Sequence, residues 1–495
     1  MEAWDLQPRT REGWLGLDRM AERLVVPVKS GNADGGKGPQ FKDNAGSGES
    51  REIGLSLTPP EKVRKLQEAL HAKAKGSPSY RFYSLYDKVC REEVLAYAYE
   101  CSKANRGAVG VDQQDFEGIE RYGKERWLGE LAEELKAKKY EPQPVRRVYI
   151  PKPNGKQRPL GIPTIKDRVV QTAVLVVVGP IFEADLPEEQ YAYRSERSAL
   201  EAIRRVHQHL IEGHTGVVDA DLSGYFDNIP HAELMKCLAR RISDGEVLRL
   251  VKLWLEAPVE EKDERGQTQR TTRNKDEGRG TPQGAPISPL LANLYMRRFV
   301  RAWKKFGHEE RLDAHIVNYA DDFVILCRGT EKEAEAVMRG IMKKLKLEVN
   351  EEKTRVRRVP EESVVFLGYE IGRCYSPKTG RAYIGTRPSK KAIRKVCEVV
   401  RERTNPRWEW RDARDLVGEL NRMLRGWANY FCLGSVSRAY RAVDAYVGAR
   451  LRRWLCGKHK VTSRGYAHFP ASYLSGELGL LRLPLLTATF PWAKA

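Results

Sequence analysis

The sequence predicts an α+β protein in which an antiparallel sheet carries the functional residues and helical segments precede and follow that sheet. Residues 316–326 read I-V-N-Y-A-D-D-F-V-I-L, two short β-branched runs separated by a turn. Residues 58–138 repeat apolar side chains at helical spacing, and residues 390–454 do so over several turns. The first pattern predicts a hairpin, and the other two predict helical segments on either side of it.

The chain is strongly basic. Its 495 residues include 87 Lys and Arg against 67 Asp and Glu, which leaves a net charge of +20. An excess of this size indicates a polyanionic partner, and nucleic acid is the simplest one. Because no run of about 18 apolar residues occurs, we expect no membrane partner.

The N-terminus and the cysteines indicate the compartment. Arg9 and Arg11 are mixed with acids such as Glu12 and Asp18, unlike the start of a signal or transit peptide. The eight cysteines form no C-x-x-C pair, so we expect neither a disulfide framework nor a cysteine-held zinc ion. A reducing cytoplasm fits this pattern.

Residues 1–57 are predicted to be a flexible extension, because their Gly-rich polar stretch cannot bury enough apolar surface to fold. Order is expected to begin at Thr58, which together with Glu61 has the spacing of a capping box. Helices are then expected at about 84–104, 124–138 and 165–178.

A basic hairpin is predicted over residues 145–163. The pair Asn154-Gly155 is a strong turn signal, and it places Lys152 and Arg158 on the two arms. Such a hairpin can be a solvated edge strand whose lysines discourage aggregation. It can equally be a clamp on a triphosphate, since Lys and Arg neutralise phosphate charge. The residues alone leave both interpretations open.

Residues 217–230 predict a strand that ends in acids and leads into a helix. Asp219 and Asp221 are two residues apart and so share a face of the strand. On spacing alone, either carboxylate can be a metal ligand. Phe226 follows the strand, where it is either a core residue or the floor of a pocket.

A proline-rich lead-in precedes the next predicted helix, which starts near Ser288-Pro289. Gln283 lies in this rigid setting, and Gly284 allows the backbone to approach a ligand closely. A purely structural lead-in does not explain why a polar glutamine is held there.

Two adjacent acids, Asp321 and Asp322, occupy the tip of the central hairpin. Crowded carboxylates repel each other unless a cation neutralises them, and Mg²⁺ prefers oxygen ligands. A hundred residues separate Asp221 from Asp321, so the two segments meet only if their strands share a sheet. Three carboxylates can then hold two Mg²⁺ ions for in-line displacement at phosphorus, the reaction of a nucleotidyl transferase.

The remaining chain continues the α+β pattern. An amphipathic helix is predicted at 332–346, and Phe366-Leu367-Gly368-Tyr369 is predicted to lie on a strand. Three amphipathic helices within 390–454 predict a small bundle whose Lys, Arg and Tyr residues suit a nucleic-acid groove. Residues 461–495 have no assignment.

Five motifs in order resemble the reverse transcriptases encoded by bacterial group II introns, over about residues 80–460. The segment L-N-R-M-L-R-G-W-A-N-Y-F resembles the maturase region, or thumb, of that family. Single motifs of this kind are weakly specific, whereas an ordered set is strong. The motifs are Y-I-P-K-P-N-G-K-Q-R-P-L-G-I-P, D-L-S-G-Y-F-D-N-I, G-T-P-Q-G-A-P-I-S-P-L-L-A-N, Y-A-D-D and F-L-G-Y.

The resemblance implies a right-hand polymerase fold with fingers, palm and thumb, and an RNA-directed DNA polymerase that uses two Mg²⁺ ions. It selects Asp221 over Asp219 as the third catalytic and metal-binding residue beside Asp321 and Asp322. It also implies that Phe366, Leu367 and Gly368 support the primer end.

Roles in nucleotide binding follow from the same resemblance. It implies that Lys152 and Arg158 hold the triphosphate, while Gln283 and Gly284 lie beside the incoming nucleotide and the template. It places Phe226 under the deoxyribose, where the ring blocks a 2′-hydroxyl and favours dNTPs.

The resemblance also implies the partners and the organisation of the chain. The expected partners are an RNA template, the intron RNA whose splicing is assisted, a DNA primer or target, and dNTPs, in a bacterial cytoplasm at the nucleoid. The expected segments are a flexible extension (1–57), a helical N-terminal extension (58–138), fingers and palm (139–375), a helical thumb (376–460) and an unassigned end (461–495).

Two departures from the family pattern stand out. Many relatives carry a C-terminal zinc-bearing H-N-H endonuclease, whereas this chain ends soon after the bundle and lacks paired cysteines, so we expect neither endonuclease nor zinc. The leader 1–57 also has little counterpart in the family core. Three alternatives remain open: a domesticated reverse transcriptase in DNA repair or phage defence, an RNA-dependent RNA polymerase, and a non-catalytic RNA-binding splicing factor.

Overall fold

The computed structural model has the α+β fold that the sequence predicts, with helices before, between and after β-sheets whose strand pairs are antiparallel except for Val145–Pro151 with Val259–Lys262. All the residues described below belong to one compact unit. Some of the predicted site residues fall in gaps and are named below. The structure describes residues 57–105, 107–151, 157–195, 197–262, 267–282, 284–376 and 378–487.

Five helices open the described chain, and their starts differ from the sequence prediction. The predicted capping box is wrong, because the first helix has Pro60 as its N-cap and no side-chain cap. The single helix predicted at 84–104 is two helices, interrupted by the extended backbone of Arg91. The helices are α1 (Glu61–Gly76), α2 (Tyr86–Val89), α3 (Glu92–Ala104), α4 (Phe116–Tyr122) and α5 (Lys124–Lys136).

A long-range contact explains the start of α2. The carboxylate of Asp244 accepts hydrogen bonds from the backbone amides of Leu85 and Tyr86, at 2.7 and 2.8 Å. These amides begin a helix and need an acceptor. An acceptor 158 or more residues away leaves no local sequence signal, so the boundary could not be predicted.

The next helix, α6 (Ile165–Glu183), is the axis of the largest hydrophobic core. The sequence predicted an end near residue 178, before Gly179-Pro180, but the helix continues through Pro180. Helices α1 and α3 pack against it, and nearly all of its residues are buried. Packing of this extent outweighs the helix-breaking tendency of one proline in the last turn.

The middle of the chain supplies further helices around the sheets. The predicted helix starts near Pro230 and Ser288 and the predicted helix over 332–346 all match the structure to within one or two residues. The helices are α7 (Ala199–Ile211), α8 (Tyr225–Asn228), α9 (His231–Ala239), α10 (Gly245–Glu256), α11 (Arg273–Asp276), α12 (Ser288–Lys305), α13 (His308–Leu312) and α14 (Glu331–Lys344).

The strands of the described residues form three sheets. The N-terminal sheet has the order β2-β1-β4-β5, the central sheet β6-β7-β3-β8, and the C-terminal sheet β11-β10-β9. The strands are β1 (Val145–Pro151), β2 (Gln157–Ile162), β3 (Gly216–Ala220), β4 (Val259–Lys262), β5 (Thr268–Thr271), β6 (Ala314–Tyr319), β7 (Asp322–Cys327), β8 (Arg355–Arg358), β9 (Val364–Phe366), β10 (Tyr369–Tyr375) and β11 (Ala382–Pro388).

Every pairing in the central sheet is antiparallel. Strand β7 pairs on one side with β6 and on the other with β3. The helices α7 and α14 pack against this sheet. The buried faces of β3, β6 and β7 contribute to two hydrophobic cores, one on each side of the sheet.

The predicted helical bundle is present as α15 (Lys390–Arg403), α16 (Ala413–Tyr430) and α17 (Ser437–Lys458). Its core is a separate cluster of buried residues, as helical spacing predicts. The unassigned end contributes a π-helix, Tyr473–Glu477, and the short helix α18 (Leu483–Leu486), which packs on α16 and α17. Among the residues that the structure describes, no helix is long and apolar enough to cross a membrane.

A tight contact joins the bundle to the C-terminal sheet. Gly434 lies between α16 and α17 with φ of 71°, and a Cβ there would overlap the carbonyl oxygen of Thr386 on β11. The same carbonyl accepts a hydrogen bond from the backbone amide of Ser435 at 2.8 Å.

We predict that Gly434→Ala lowers the free energy of unfolding by about 1–3 kcal/mol, because it adds both backbone strain and a steric overlap. The matched control is Gly448→Ala, in α17, where a Cβ meets nothing within 4 Å. Alanine loses less backbone conformational entropy on folding than glycine does, so that variant should be as stable as the wild type or slightly more so. Apparent melting temperatures check both, and an equal shift in the two variants would contradict the contact.

Candidate active site

The tip of the β6–β7 hairpin is a two-residue turn made of Ala320 and Asp321. Ala320 has φ of 58°, a left-handed conformation that costs a residue with a Cβ about 1 kcal/mol. The buried side chain of Asn318 supports the turn by donating to the Ala320 carbonyl at 2.8 Å. Buried Gln190 in turn donates to the Asn318 side chain at 3.4 Å. A buried hydrogen-bond network therefore holds a strained tip in place.

The pairing of β3 with β7 brings Asp221 to this tip. The ladder pairs Asp219 with Val324 and Ala220 with Phe323. Carried one residue further, the same register sets Asp221 opposite Asp322. The structure therefore brings together the three carboxylates that the sequence singled out.

The proximity of these carboxylates affects the protonation of Asp322. Part of the residue faces solvent, yet the protein atoms around its carboxyl group displace enough water to raise its pKa. The negative charges of Asp321 and Asp221 add to this effect, and together they raise the pKa of Asp322 to about 7. A nearby cation would relieve this repulsion.

Asp221 has two partners that sequence reasoning missed. The ammonium of Lys353 donates to both carboxylate oxygens, at 3.1 and 2.9 Å, and Asn350 Nδ2 donates to one of them at 3.2 Å. The backbone amide of Asn350 also donates to the Asp221 carbonyl at 2.8 Å. Both partners lie in a charged loop about 130 residues away, and nothing in that loop's sequence distinguishes it from a solvated turn.

Asp219 lies in a different environment from Asp221. Its carboxyl group is half-buried within the central sheet, and burial raises its pKa to about 6 despite the nearby charge of Arg357. Spacing along the strand could not separate the two acids. In the structure Asp221 lies beyond the last ladder pair and Asp219 lies inside the ladder.

Phe226 lies in the short helix α8 that follows Asp221, and it is half-buried against the main core. Its carbonyl accepts a hydrogen bond from the Thr281 amide at 2.7 Å. The hydroxyl of neighbouring Tyr225 donates to the Ala292 carbonyl at 2.6 Å, and Asp321 contributes to raising the pKa of Tyr225 beyond the effect of burial. Phe226 is therefore adjacent in sequence to a residue whose pKa is affected by the charge at the hairpin tip.

Gly284 makes the close backbone approach that the sequence predicted, but the partner is protein. With φ of 108°, it lies so near β2 that a Cβ would stand 2.5 Å from the Gly161 carbonyl oxygen. This contact joins the proline-rich lead-in of α12 to the N-terminal sheet.

The sequence predicted that Phe366–Tyr369 lies on one strand. That prediction is wrong, because the motif forms the turn of the β9–β10 hairpin. Leu367 and Gly368 both have positive φ, of 49° and 83°. Two successive positive values suit a tight two-residue hairpin turn. The alternation of buried residues on both sides of the turn conceals it in the sequence.

The end of α16 holds this turn. Tyr430 Oη donates to the Leu367 carbonyl at 2.9 Å, and a Cβ on Gly368 would stand 3.3 Å from the ring of Phe431. Burial raises the pKa of Tyr430, and the charge of Asp322 adds to it. The turn therefore lies on the side of the molecule that faces the carboxylates.

Three of the predicted site residues cannot be placed completely. Lys152 and Gln283 lie outside the described residues, as does the predicted Asn154-Gly155 turn. The backbone of Arg158 lies in β2 opposite Ile150, while its side chain is not among those that the structure describes.

The donor set fits a hard divalent cation. Asp221, Asp321 and Asp322 offer carboxylate oxygens alone, at the ends of the two interior strands of the central sheet and within reach of solvent. Oxygen donors of this kind suit Mg²⁺, which keeps water and phosphate among its ligands. Lys353 supplies a positive charge beside Asp221.

Two comparisons with known families agree with this geometry. Residues 150–371 match the reverse transcriptase (RNA-dependent DNA polymerase) family, and residues 391–469 match the group II intron maturase-specific domain. The match to the reverse transcriptase family implies a polymerase that depends on a divalent metal ion. The two matches together imply binding of an RNA template and of intron RNA.

Several relatives are similar to the chain. Protein YkfC of Escherichia coli K12 is 34% identical over an alignment of 368 residues, and the match covers 67% of this chain and 93% of that protein. The group II intron-encoded protein LtrA of Lactococcus lactis is 28% identical, over 59% of this chain and 57% of LtrA. The COX1/OXI3 intron 1 protein of Saccharomyces cerevisiae is 26% identical, and the chain spans about half of its length.

These matches define the class as a template-directed polymerase with a maturase-specific domain. The chain belongs to the group II intron type of reverse transcriptases, and it is an RNA-directed DNA polymerase with a maturase domain.

We predict that divalent cations bind to this site more weakly as the pH falls below about 7. Asp322 must lose its proton to bind a cation, and its pKa of about 7 makes the proton a competitor near neutral pH. Between pH 8 and pH 6 the Mn²⁺ dissociation constant should rise about tenfold. Electron paramagnetic resonance of free Mn²⁺ measures it, and a constant value over this range would contradict the proposed proton competition.

Proposed function

We propose that the protein extends a DNA primer along an RNA template with dNTPs, using two Mg²⁺ ions held by Asp221, Asp321 and Asp322. The observation that carries the proposal is the convergence of these carboxylates: burial, together with the charges of Asp321 and Asp221, raises the pKa of Asp322 to about 7. Mg²⁺ ions bound there would activate the primer 3′-hydroxyl and stabilise the leaving oxygen.

The chain's own residues prepare this site in three ways. The network through Asn318 fixes the hairpin tip, so the carboxylates are positioned before a cation arrives. The Lys353 ammonium neutralises Asp221 and has to give up that contact when a cation binds. Because Lys353 is exposed on a flexible stem, its release costs little.

Around the carboxylates we assign the incoming nucleotide to Phe226, Gln283 and Gly284, and its triphosphate to Lys152 and Arg158. The contact of Gly284 with β2 supports the assignment, because it brings the lead-in of α12 against the strand that carries Arg158. The ring of Phe226 would lie under the sugar and exclude a 2′-hydroxyl.

The primer end is assigned to the turn formed by Phe366, Leu367 and Gly368. Tyr430 supports this assignment because it donates a hydrogen bond to the turn and because the charge of Asp322 contributes to its raised pKa. A duplex that leaves the carboxylates past this turn would next meet α16 and the rest of the bundle.

The bundle offers a basic surface for the nucleic acid. Helix α15 buries Val396 and Val400, while its cationic side chains face solvent. Such a surface binds phosphate without sequence preference. We propose that it holds the intron RNA, whose splicing and mobility the protein assists. The exposed cationic residues are Lys390, Lys391, Arg394, Lys395 and Arg401.

The same proposal divides the chain by role. Residues 58–138 would serve as an N-terminal extension over the template, 139–375 as fingers and palm, and 376–460 as thumb. Their helices and sheets follow that order along the chain. Of the extension 1–57, residues 1–56 lie outside the described residues, and the segment after 460 packs on the bundle.

We predict that Asp221→Asn or Asp321→Asn each lowers primer extension on an RNA template by about 100- to 1,000-fold, because each removes charge from the reacting centre. Asp219→Asn is the matched control: it removes a neighbouring carboxylate on the same strand, and it should keep most of the activity. The assay is dTTP incorporation on poly(rA)/oligo(dT) with Mg²⁺. Equal extension by the wild type and Asp321→Asn would refute the catalytic assignment. Loss of primer extension only in Asp219→Asn would make Asp219, and not Asp221, the third metal ligand.

We predict that Phe226→Ala raises the use of rNTPs relative to dNTPs by about tenfold or more, since a smaller side chain leaves room for the 2′-hydroxyl. The readout is the ratio of kcat/KM for UTP and dTTP on the same template. Phe306→Ala, at an exposed phenylalanine, is the control. An unchanged ratio in Phe226→Ala would remove this residue from the sugar pocket and reopen the RNA polymerase alternative.

A further inference from the structure

A cluster of three histidines lies at the end of the central sheet opposite the carboxylates. His209 is in α7, His214 follows that helix, and His315 is near the start of β6. One nitrogen from each imidazole lies within 4.8 Å of the other two. We propose that these histidines bind a structural divalent cation, with Asp313 as a fourth ligand, and that the cation is Zn²⁺.

The carboxylate of Asp313 occupies the place that a fourth ligand needs. Its Oδ1 lies 3.0 Å from His214 Nε2 and 3.8 Å from His315 Nε2. Asp313 has φ of 45°, a left-handed conformation that aspartate tolerates better than most residues. Three imidazoles and one carboxylate are a donor set that zinc accepts in tetrahedral geometry.

The outward-facing nitrogens of two imidazoles already have acceptors. His315 Nδ1 lies 2.9 Å from Glu309 Oε1, and His214 Nδ1 lies 3.2 Å from the His209 carbonyl oxygen. Histidines that ligate metals usually donate their second N–H to a carboxylate or a backbone carbonyl, which fixes the ring and the tautomer. The Nε2 atoms of His214 and His315 are thereby left to face the proposed cation.

His209 is the member that the protein alone does not satisfy. The residue is 3% exposed, and its buried Nδ1 makes no hydrogen bond. The carboxylate of Glu212 lies 3.4 Å away, outside hydrogen-bonding geometry. Leaving a buried imidazole nitrogen without a hydrogen bond costs about 1–3 kcal/mol of folding free energy. The unsatisfied Nδ1 of His209 therefore points to a binding partner for this nitrogen.

The spacing of the cluster is within reach of a tetrahedral site. Zn–N bonds of about 2.0–2.1 Å place neighbouring ligand atoms about 3.3–3.4 Å apart. The observed limit of 4.8 Å therefore closes with shifts of about 1 Å. The His209 and His315 rings are stacked at 4.5 Å between centroids, so both rings must rotate out of this parallel stack before their in-plane nitrogen lone pairs can meet at one ion.

The position of the cluster indicates a structural role. Ala320 at the hairpin tip is five positions beyond His315, about 16 Å at the rise of a strand. At that distance the cation does not share ligands with the acidic site. It would tie the end of α7 to the first residues of β6 and so hold the strand that carries the tip.

This proposal revises the expectation that the chain binds no zinc. That expectation considered only cysteine pairs and an endonuclease. The ligands here come from positions 209, 214, 313 and 315, and the fold alone brings the first two to the last two.

Titration of Co²⁺ into the metal-stripped full chain tests the site, with excess Mg²⁺ present to occupy the carboxylates. We expect about one Co²⁺ per chain, with the visible absorption of a tetrahedral ion, and stoichiometric displacement by Zn²⁺. Wild-type protein that binds no such Co²⁺ overturns the proposal without any variant, and the cluster is then a polar network.

Variants locate the ion. His315→Gln should weaken Co²⁺ binding by about 100-fold or more, and Glu309→Gln, which keeps all three imidazoles, by about tenfold. His468→Gln at an exposed histidine and Asp321→Asn in the acidic site should leave the affinity unchanged. Equal affinity in His315→Gln and His468→Gln would overturn the assignment. Loss of affinity in Asp321→Asn would instead place the ion at the carboxylates.

Discussion

The antiparallel pairing of β3 with β7 is the constraint on which the rest of the structure depends. It alone brings Asp221 across a hundred residues of chain to the tip that carries Asp321 and Asp322. A slip of one residue would turn every side chain of β3 to the other face of the sheet and move Asp221 away from the tip. The apolar runs on both faces of the central sheet fix that register, so core packing and catalytic geometry are specified together.

The site carries costs that a purely structural turn would avoid. Ala320 holds a left-handed conformation, and burial together with the charges of the neighbouring carboxylates raises the pKa of Asp322 to about 7. Strain and like-charge repulsion of this kind persist when the surrounding structure imposes them and a ligand relieves them. Here the buried Asn318 network imposes the geometry, and Lys353 partly offsets the charge in the metal-free protein.

Much of this arrangement was predictable from the sequence, because its signals are local. Alternating β-branched runs predicted the central hairpin, and apolar spacing predicted the bundle helices to within a few residues. The predictions failed where residues distant in sequence determine a helix boundary or a side-chain contact. Asp244 starts α2 from a remote position, packing carries α6 through Pro180, and Lys353 meets Asp221 from a loop without a distinguishing pattern. The histidine cluster is another such case, since it exists only once α7 and β6 are neighbours.

The most direct test of the account is the pKa of Asp322, followed by ¹³C NMR of carboxyl-labelled aspartate in the metal-free protein. If Asp221 lies beside it, Asp221→Asn should lower that pKa from about 7, because one repelling charge is gone. Lys353→Met should raise it, because an attracting charge is gone. A pKa that stays the same in both variants would mean that the three carboxylates do not converge, and the proposed catalytic centre would be contradicted.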